Sequence, residues 1–270
     1  MKRFLCIMLV LLLTAAVPLV GFFALQRPRA AAVDMSRGLA SLERFENVDV
    51  GKVESKIRAA ELKRLQALEQ KNRRLRLEEI LRLLDAGKLS YRKAMKDVYI
   101  AGDSLMEGLE LYDILNSNHI FAQVSASLSH LEENFNKIVS IRPPVLILHY
   151  GLNMIAADDA HAQSFIRKYT SLIKVLQKAL PDTRIVVSLL FPVDRKVASA
   201  KRFGAIGKYN KLLRQMCADL GIEALDSKPA FYENGTFTTR YYGKDGIHLS
   251  ASFYRNVWLR HVIRTLEIGV

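Results

Sequence analysis

Three short stretches carry residue types that together could perform nucleophilic acyl chemistry. The first is Gly102-Asp103-Ser104-Leu105, directly after the apolar run 98–101. A serine at a strand-to-helix turn presents its hydroxyl at the sheet edge, where the next helix points free N–H groups. Alone, Gly-Asp-Ser is also ordinary turn chemistry. The second is Gly151-Leu152-Asn153-Met154, after the apolar run 145–150. An Asn amide placed there can donate to a developing oxyanion, or merely shape the turn. The third is Asp245-Gly246-Ile247-His248. A neutral imidazole can take a serine proton, and a carboxylate three residues earlier can orient the ring and stabilise its cation. His119, His130, His149, His161 and His261 have no serine loop so placed and read as structural or surface groups. Gly-x-Ser-x-Gly is absent, which excludes the alpha/beta-hydrolase elbow. No His-x-x-x-His pair or carboxylate cluster has metal-ligand spacing, so neither a metal nor another cofactor is expected.

Such groups need a scaffold to bring them together. Apolar runs at 98–101, 120–124, 145–150, 184–190 and 222–225 read as strands. Helical stretches at 128–139, 161–180, 206–220 and 250–266 separate or follow them. This alternation predicts an α/β fold with a parallel sheet covered on both faces. Ligands of such sheets bind at the carboxyl ends of the strands, which is where Ser104 and Asn153 fall. Tyr150, Met154, Phe191, Tyr241 and Tyr242 also lie near those loop ends. Tyr150 and Met154 are the candidates for a substrate pocket, with core packing as the competing role for each aromatic.

The three blocks, in this order and spread over residues 97–270, resemble the SGNH, or GDSL-type, esterase and lipase superfamily. VYIAGDSLMEG matches its serine block, LHYGLNM its Gly-x-Asn-Asp block, and YYGKDGIHLS its Asp-x-x-His block. The resemblance implies a three-layer α/β/α flavodoxin-like fold and an ester hydrolase. It implies Ser104 as nucleophile, His248 as general base and Asp245 as its orienting partner. The Ser104 N–H and the Asn153 side chain would form the oxyanion hole. Two positions depart from the pattern. The second block supplies a glycine N–H to that hole, whereas the matching stretch here is Gln123-Val124-Ser125-Ala126-Ser127, with Ser125 the best aligned. Its N–H can serve only if the backbone angles suit a residue with a Cβ. Met154 stands where the family has an Asp after its Asn.

The remainder of the chain speaks to location. It has 270 residues, 50% of them hydrophobic and 25% charged, which excludes disorder along the whole length. Its two cysteines, Cys6 and Cys217, exclude a disulfide scaffold. Residues 4–25 form 22 consecutive positions without a charge. As a helix these would span about 33 Å, enough for a bilayer. Residues 1–25 therefore read as an uncleaved signal anchor, with the N-terminus inside and the bulk of the protein outside the cytoplasm. Ala30-Ala31-Ala32 offers cleavage and secretion as the alternative. Residues 26–96 read as a linker, to about 48, then a basic helical stalk over about 50–86.

The net charge of +13 is uneven, with +7 in residues 26–97 and +4 in residues 98–270. It therefore points to what lies beside the stalk, anionic lipid or wall polymer, more than to the substrate. Lys71, Arg73, Arg74 and Arg76 would make that contact, against the plainer reading of a solvated amphipathic helix that packs on the catalytic domain or spaces it from the membrane. No nucleic-acid module is recognisable, so no nucleic-acid partner is expected.

The functional expectation is a serine esterase, with an acyl-serine intermediate, removing small acyl groups, foremost acetyl, from extracytoplasmic carbohydrate. Two alternatives accompany it: an O-acyltransferase partner in surface-glycan acylation, and a non-catalytic surface-binding module on the same fold.

Overall fold

In the computed structural model of the chain, residues 35–46, 49–199 and 203–269 are described. They belong to two units, one ending at Gln66 and one beginning at Ala67. The anchor expected over residues 1–25 lies outside the described residues. Among the described residues no helix is long and apolar enough to cross a membrane.

The first unit holds helix α1 (Ser36–Glu46) and the N-terminal part of α2 (Val50–Asp85). The stretch read as a linker therefore contains a helix. Met35, Leu39 and Leu42 recur at helical spacing, and Arg44 complements the dipole in the last turn. Asp49 starts α2 by accepting from the Lys52 N–H at 3.1 Å. Leu39, Leu42, Val50, Val53, Ile57, Leu62 and Leu65 are all exposed.

In the second unit the last turns of α2 change character. Leu81 is buried, and Leu77, Ile80 and Leu84 pack against the core. Asp85 pairs with Arg260, and Arg73 with Glu267 at 3.3 Å. These turns belong to the folded unit and do not act as a spacer. A short helix, α3 (Tyr91–Ala94), capped by Ser90, leads into the sheet.

The sheet is fully parallel. Strand β1 (Val98–Gly102) runs into α4 (Ser104–Leu111), and β2 (Ile120–Ala122) into α5 (Leu128–Ile141). Strand β3 (Val145–His149) is followed by α6 (Asp159–Ala179). Strand β4 (Arg184–Ser188) is followed by α7 (Arg195–Ala198) and α8 (Ile206–Leu220), which leads to β5 (Glu223–Leu225). The strand order is β2-β1-β3-β4-β5, with Gly102 paired to both Ala122 and His149. The predicted strands run past these pairs because their last residues, Val124, Tyr150 and Leu190, peel away into the site loops. Right-handed crossovers put α5, α6 and α8 on one face, where they contact in sequence, and α4 on the other. There Gly108 of α4 abuts Tyr254. The strands are near-continuous apolar runs because both faces are covered.

A hairpin that the apolar runs do not announce, β6 (Tyr232–Glu233) and β7 (Thr236–Phe237), turns at Asn234-Gly235. Both turn residues have positive φ, as such two-residue turns require. The C-terminal helix starts as α9 (Ala251–Phe253), passes through a π turn at Tyr254–Trp258 and ends as α10 (Leu259–Leu266).

Candidate active site

The serine block is built by close backbone approach. A Cβ at Gly102 would sit 2.8 Å from the His149 carbonyl oxygen of the neighbouring strand and 2.6 Å from Met106 Cγ, so only glycine fits. Asp103 then caps α4, its Oδ1 accepting from the Leu105 N–H at 3.1 Å. Ser104 is the first helical residue, so its own N–H has no acceptor within the helix. Asp103 is buried and its Oδ2 has no partner among the described residues. Burial pushes its carboxyl up to about 6.

The Asp-His block closes on that serine. Gly246 has φ +69, which bends the chain so that Asp245 Oδ1 accepts from the N–H groups of Ile247 at 2.9 Å and His248 at 3.0 Å. Asp245 Oδ2 meets His248 Nδ1 at 2.6 Å, and His248 Nε2 meets Ser104 Oγ at 2.9 Å. Partial burial pushes the Asp245 carboxyl up, but the imidazole and the two N–H groups outweigh it. Together they hold it below its ordinary value. With the carboxylate on Nδ1, the imidazole keeps its proton there and leaves the Nε2 lone pair for the serine hydroxyl. The loop itself is closed by Gly243 N–H to His248 O at 2.8 Å and Ser250 N–H to Tyr241 O at 2.9 Å.

The two remaining loops meet each other. Asn153 lies in a turn of 3-10 helix, Leu152–Met154, and its Nδ2 donates to Ala126 O at 3.2 Å. One amide hydrogen thus ties the loop after β3 to the loop after β2, and a second remains for a ligand. Ser125 occupies the third position of a turn closed by Ala126 N–H to Gln123 O at 3.1 Å, with φ 59. This is the left-handed conformation that explains a family preference for glycine here, and Ser125 adopts it with its Cβ in place. The Met154 departure is accounted for as well. Tyr209 OH donates to Met154 O at 3.2 Å and accepts from the Ala156 N–H at 3.1 Å, so a hydroxyl from α8 braces the loop.

The structure thus joins Ser104, His248 and Asp245 in one relay and joins Asn153 to the Ser125 turn. It does not assemble the aromatic pocket. Tyr150 is fully buried, edge-on to Tyr169, with its hydroxyl 3.0 Å from His130 Nδ1. One residue beyond β3, it still turns into the core under α6. Phe191 is buried against Phe231 and Trp258, and Tyr241 is buried with its hydroxyl donated to Glu233 at 3.1 Å. Tyr242 is half-buried and donates to Pro192 O at 2.7 Å. Met154 remains, half-buried beside Asn153.

A cavity of about 340 Å³ lined by Arg142, Pro144, Leu180 and Thr183 lies at the opposite ends of the strands and has no contact with the triad. The triad itself is open: the side chains of His248 and Asp245 are 50% and 48% exposed. The other histidines are structural or surface groups. His149, for example, is buried against Ser188 Oγ at 3.1 Å, and burial lowers its pKa to about 3.

One positioning group is invisible in the sequence. Asp194 N–H donates to Gly246 O at 2.8 Å, and Val197 packs against Gly246, so the loop after β4 clasps the Asp-His loop. Asp194 carries a readable helix-cap signal, but nothing local reveals a partner so far along the chain.

Residues 100–255 match the model of the GDSL-like Lipase/Acylhydrolase family. No curated protein is similar to the chain in sequence. Among solved structures, a protein from Parabacteroides merdae described as a GDSL-like lipase is 15% identical with a TM-score of 0.50, covering 64% of this chain and 94% of that one. A catalytic mutant of the acetylxylan esterase Axe2 from Geobacillus stearothermophilus is 14% identical with a TM-score of 0.50, covering 64% and 93%. A protein from Streptococcus pneumoniae described as a platelet activating factor is 17% identical with a TM-score of 0.50, covering 77% and 99%. At these identities the likeness is one of fold, and the family rests on the match over more than half of the sequence. The chain belongs to the GDSL-like lipase/acylhydrolase family and is a serine hydrolase of ester bonds.

Proposed function

We propose that the protein removes small acyl groups, foremost acetyl, from carbohydrate outside the cytoplasm, with Ser104 as nucleophile. The observation that carries this reading is the hydrogen-bonded relay from Asp245 through His248 to Ser104 Oγ. Ser104 Oγ attacks the ester carbonyl while His248 Nε2 takes its proton, and Asp245 stabilises the imidazolium. The oxyanion forms among the Ser104 N–H, the Ser125 N–H and the free Asn153 amide hydrogen, each worth about 3 kcal/mol in such a hole. His248 returns the proton to the departing sugar oxygen. It then activates water, which releases the acyl group from Ser104.

The openness of the triad supports hydrolysis over transfer. Half-exposed His248 and Asp245 leave water free access to an acyl-serine, and transfer to a sugar would need it excluded. The same openness suits a glycan too large to enter a cavity. The uncharged run 4–25 supports an anchored, outward-facing enzyme, with the basic helix α2 beside anionic lipid or wall polymer.

The full chain should hydrolyse a small aryl acetate and release acetate from an acetylated glycan. Ser104→Ala should lower the rate to background with an unchanged circular dichroism spectrum. Retained activity in that variant sinks the assignment, and preferential capture of the acyl group by added sugar in place of water would establish transfer instead.

A further inference from the structure

The modest +4 of residues 98–270 hides a local excess beside the triad. Three exposed cations flank the Asp-His loop. Lys244 directly precedes Asp245 within it, and Arg195 and Lys196 begin α7 in the loop that clasps it. Their placement is fixed by backbone contacts. Asp194 N–H is bonded to Gly246 O at 2.8 Å, and Asp194 Oδ1 caps the Lys196 N–H at 3.0 Å. The Arg195 guanidinium stands 5.9 Å from the Phe237 ring centre, and Phe237 in turn lies beside Tyr242, two residues before Lys244.

None of the three forms an ion pair among the described residues. The acidic groups around them are already engaged. Asp194 is buried in its capping role, Asp245 holds His248, and Glu233 is paired with Arg240 at 2.7 Å. Other cations of this unit have acidic partners close by, as in Arg184 with Glu223, Arg214 with Asp226 and Lys168 with Glu132, while what sets these three apart is their place on the loops that carry and clasp the triad. An unmatched cluster beside an open active site raises the local concentration of anionic substrate and holds it once bound.

We propose that Arg195, Lys196 and Lys244 select an anionic glycan, one whose repeating units carry carboxylate or phosphate groups near the acylated hydroxyl. This rests on the esterase reading and adds the substrate class to it. It is distinct from the basic stalk, whose charges lie outside the catalytic loops.

The test compares deacetylation by the full chain on four substrates: neutral acetylated xylan, acetylated polygalacturonate, acetylated poly(glycerol phosphate) and an aryl acetate. At low salt, kcat/KM per acetyl group should be at least about tenfold higher on a polyanion than on xylan. That advantage should shrink as ionic strength rises and the Debye length falls. Arg195→Ser with Lys196→Ser should cut the ratio of polyanion to aryl acetate turnover about fivefold or more, and Arg195→Glu with Lys196→Glu should cut it further. Carboxylate-only or phosphate-only preference identifies the source of the charge, and either supports the proposal. Equal rates on xylan and both polyanions, insensitive to salt and to the substitutions, overturn it while leaving the esterase reading intact. Failure to hydrolyse any of the four overturns both.

Discussion

Asp245→Asn separates orientation of His248 from assembly of its loop. Asp245 makes three contacts: Oδ1 takes the Ile247 and His248 N–H groups at 2.9 and 3.0 Å, and Oδ2 takes His248 Nδ1 at 2.6 Å. An Asn keeps the Oδ1 contacts, so the turn is preserved. It faces Nδ1 with an NH2 group, which makes Nδ1 the acceptor and moves the ring proton to Nε2. Nε2 then cannot accept from Ser104 Oγ, although the 2.9 Å separation persists. In a fully buried triad this inversion lowers kcat about 10⁴-fold. Asp245 is 48% exposed, so water can partly restore the other tautomer.

The expected loss is therefore about 10³-fold in kcat, or about 4 kcal/mol of transition-state stabilisation at about 1.4 kcal/mol per decade. The fold should be little affected. Loss of one exposed charged hydrogen bond, about 1 kcal/mol, corresponds to about 2–4 °C for a unit of this size. The assay is steady-state hydrolysis of an aryl acetate beside Ser104→Ala as the floor. Nitrogen chemical shifts of His248 read the tautomer directly. A variant within tenfold of the parent rate, or one with the proton still on Nδ1, refutes the reasoning.

Three further outcomes follow from single observations. Ser125→Gly relieves a left-handed residue at φ 59 but adds freedom to the unfolded chain, so a net gain of about 0.5 kcal/mol is expected. Its kcat should stay within about threefold because the N–H remains, and a fall in Tm by thermal scan argues against a strained Ser125. Asp103 titrates near 6 in the folded state, above its ordinary 3.8, so the folded form binds its proton more tightly than the unfolded one. Stability from this group is then present below about 3.8 and lost as pH rises toward 6, and Asp103→Asn removes that dependence. Denaturant titrations should show the variant gaining on the parent by up to about 3 kcal/mol between pH 4 and 7, and a pH-independent difference rules this out. Leu81→Ala should cost about 2–3 kcal/mol in urea unfolding, whereas Leu68→Ala, at a residue 53% exposed, should cost under about 0.5. Equal costs would show that the last turns of α2 do not dock.

Ser104, Asn153, Asp245 and His248 were legible because each sits in a short block whose local geometry is nearly self-contained. Gly102 and Asp103 shape one turn, Gly246 another, and the sequence distance between them does not matter once the sheet order is known. The helix 206–220 was legible for a similar reason, since its apolar stripe and Gly221 end-signal are local. What escaped depends on distant partners. Tyr150 reads as a loop-end aromatic, yet its burial depends on α6 folding over it and on His130 Nδ1 meeting its hydroxyl. The docked last turns of α2 are pinned by the distant Arg260 and Glu267, and the helix Ser36–Glu46 was hidden by Ser and Gly residues that usually punctuate loops.

The two departures from the family pattern have one physical explanation. The loops after β1, β2, β3 and β4 are positioned by the parallel sheet and then fixed by a few specific bonds. Asn153 Nδ2 holds Ala126 O, Tyr209 OH spans Met154 O and Ala156 N–H, and Asp194 N–H holds Gly246 O. At position 154 the loop is braced through its backbone by a hydroxyl from α8, which asks nothing of the side chain there. A glycine at position 125 is dispensable once the turn is closed by Ala126 N–H to Gln123 O, because about 1–2 kcal/mol of left-handed strain is small beside what the surrounding bonds determine. What cannot be replaced in this arrangement is Gly102, where a Cβ would meet the backbone oxygen of His149 at 2.8 Å. That oxygen cannot move without breaking the register of β1 with β3, and with it the placement of Ser104 against His248.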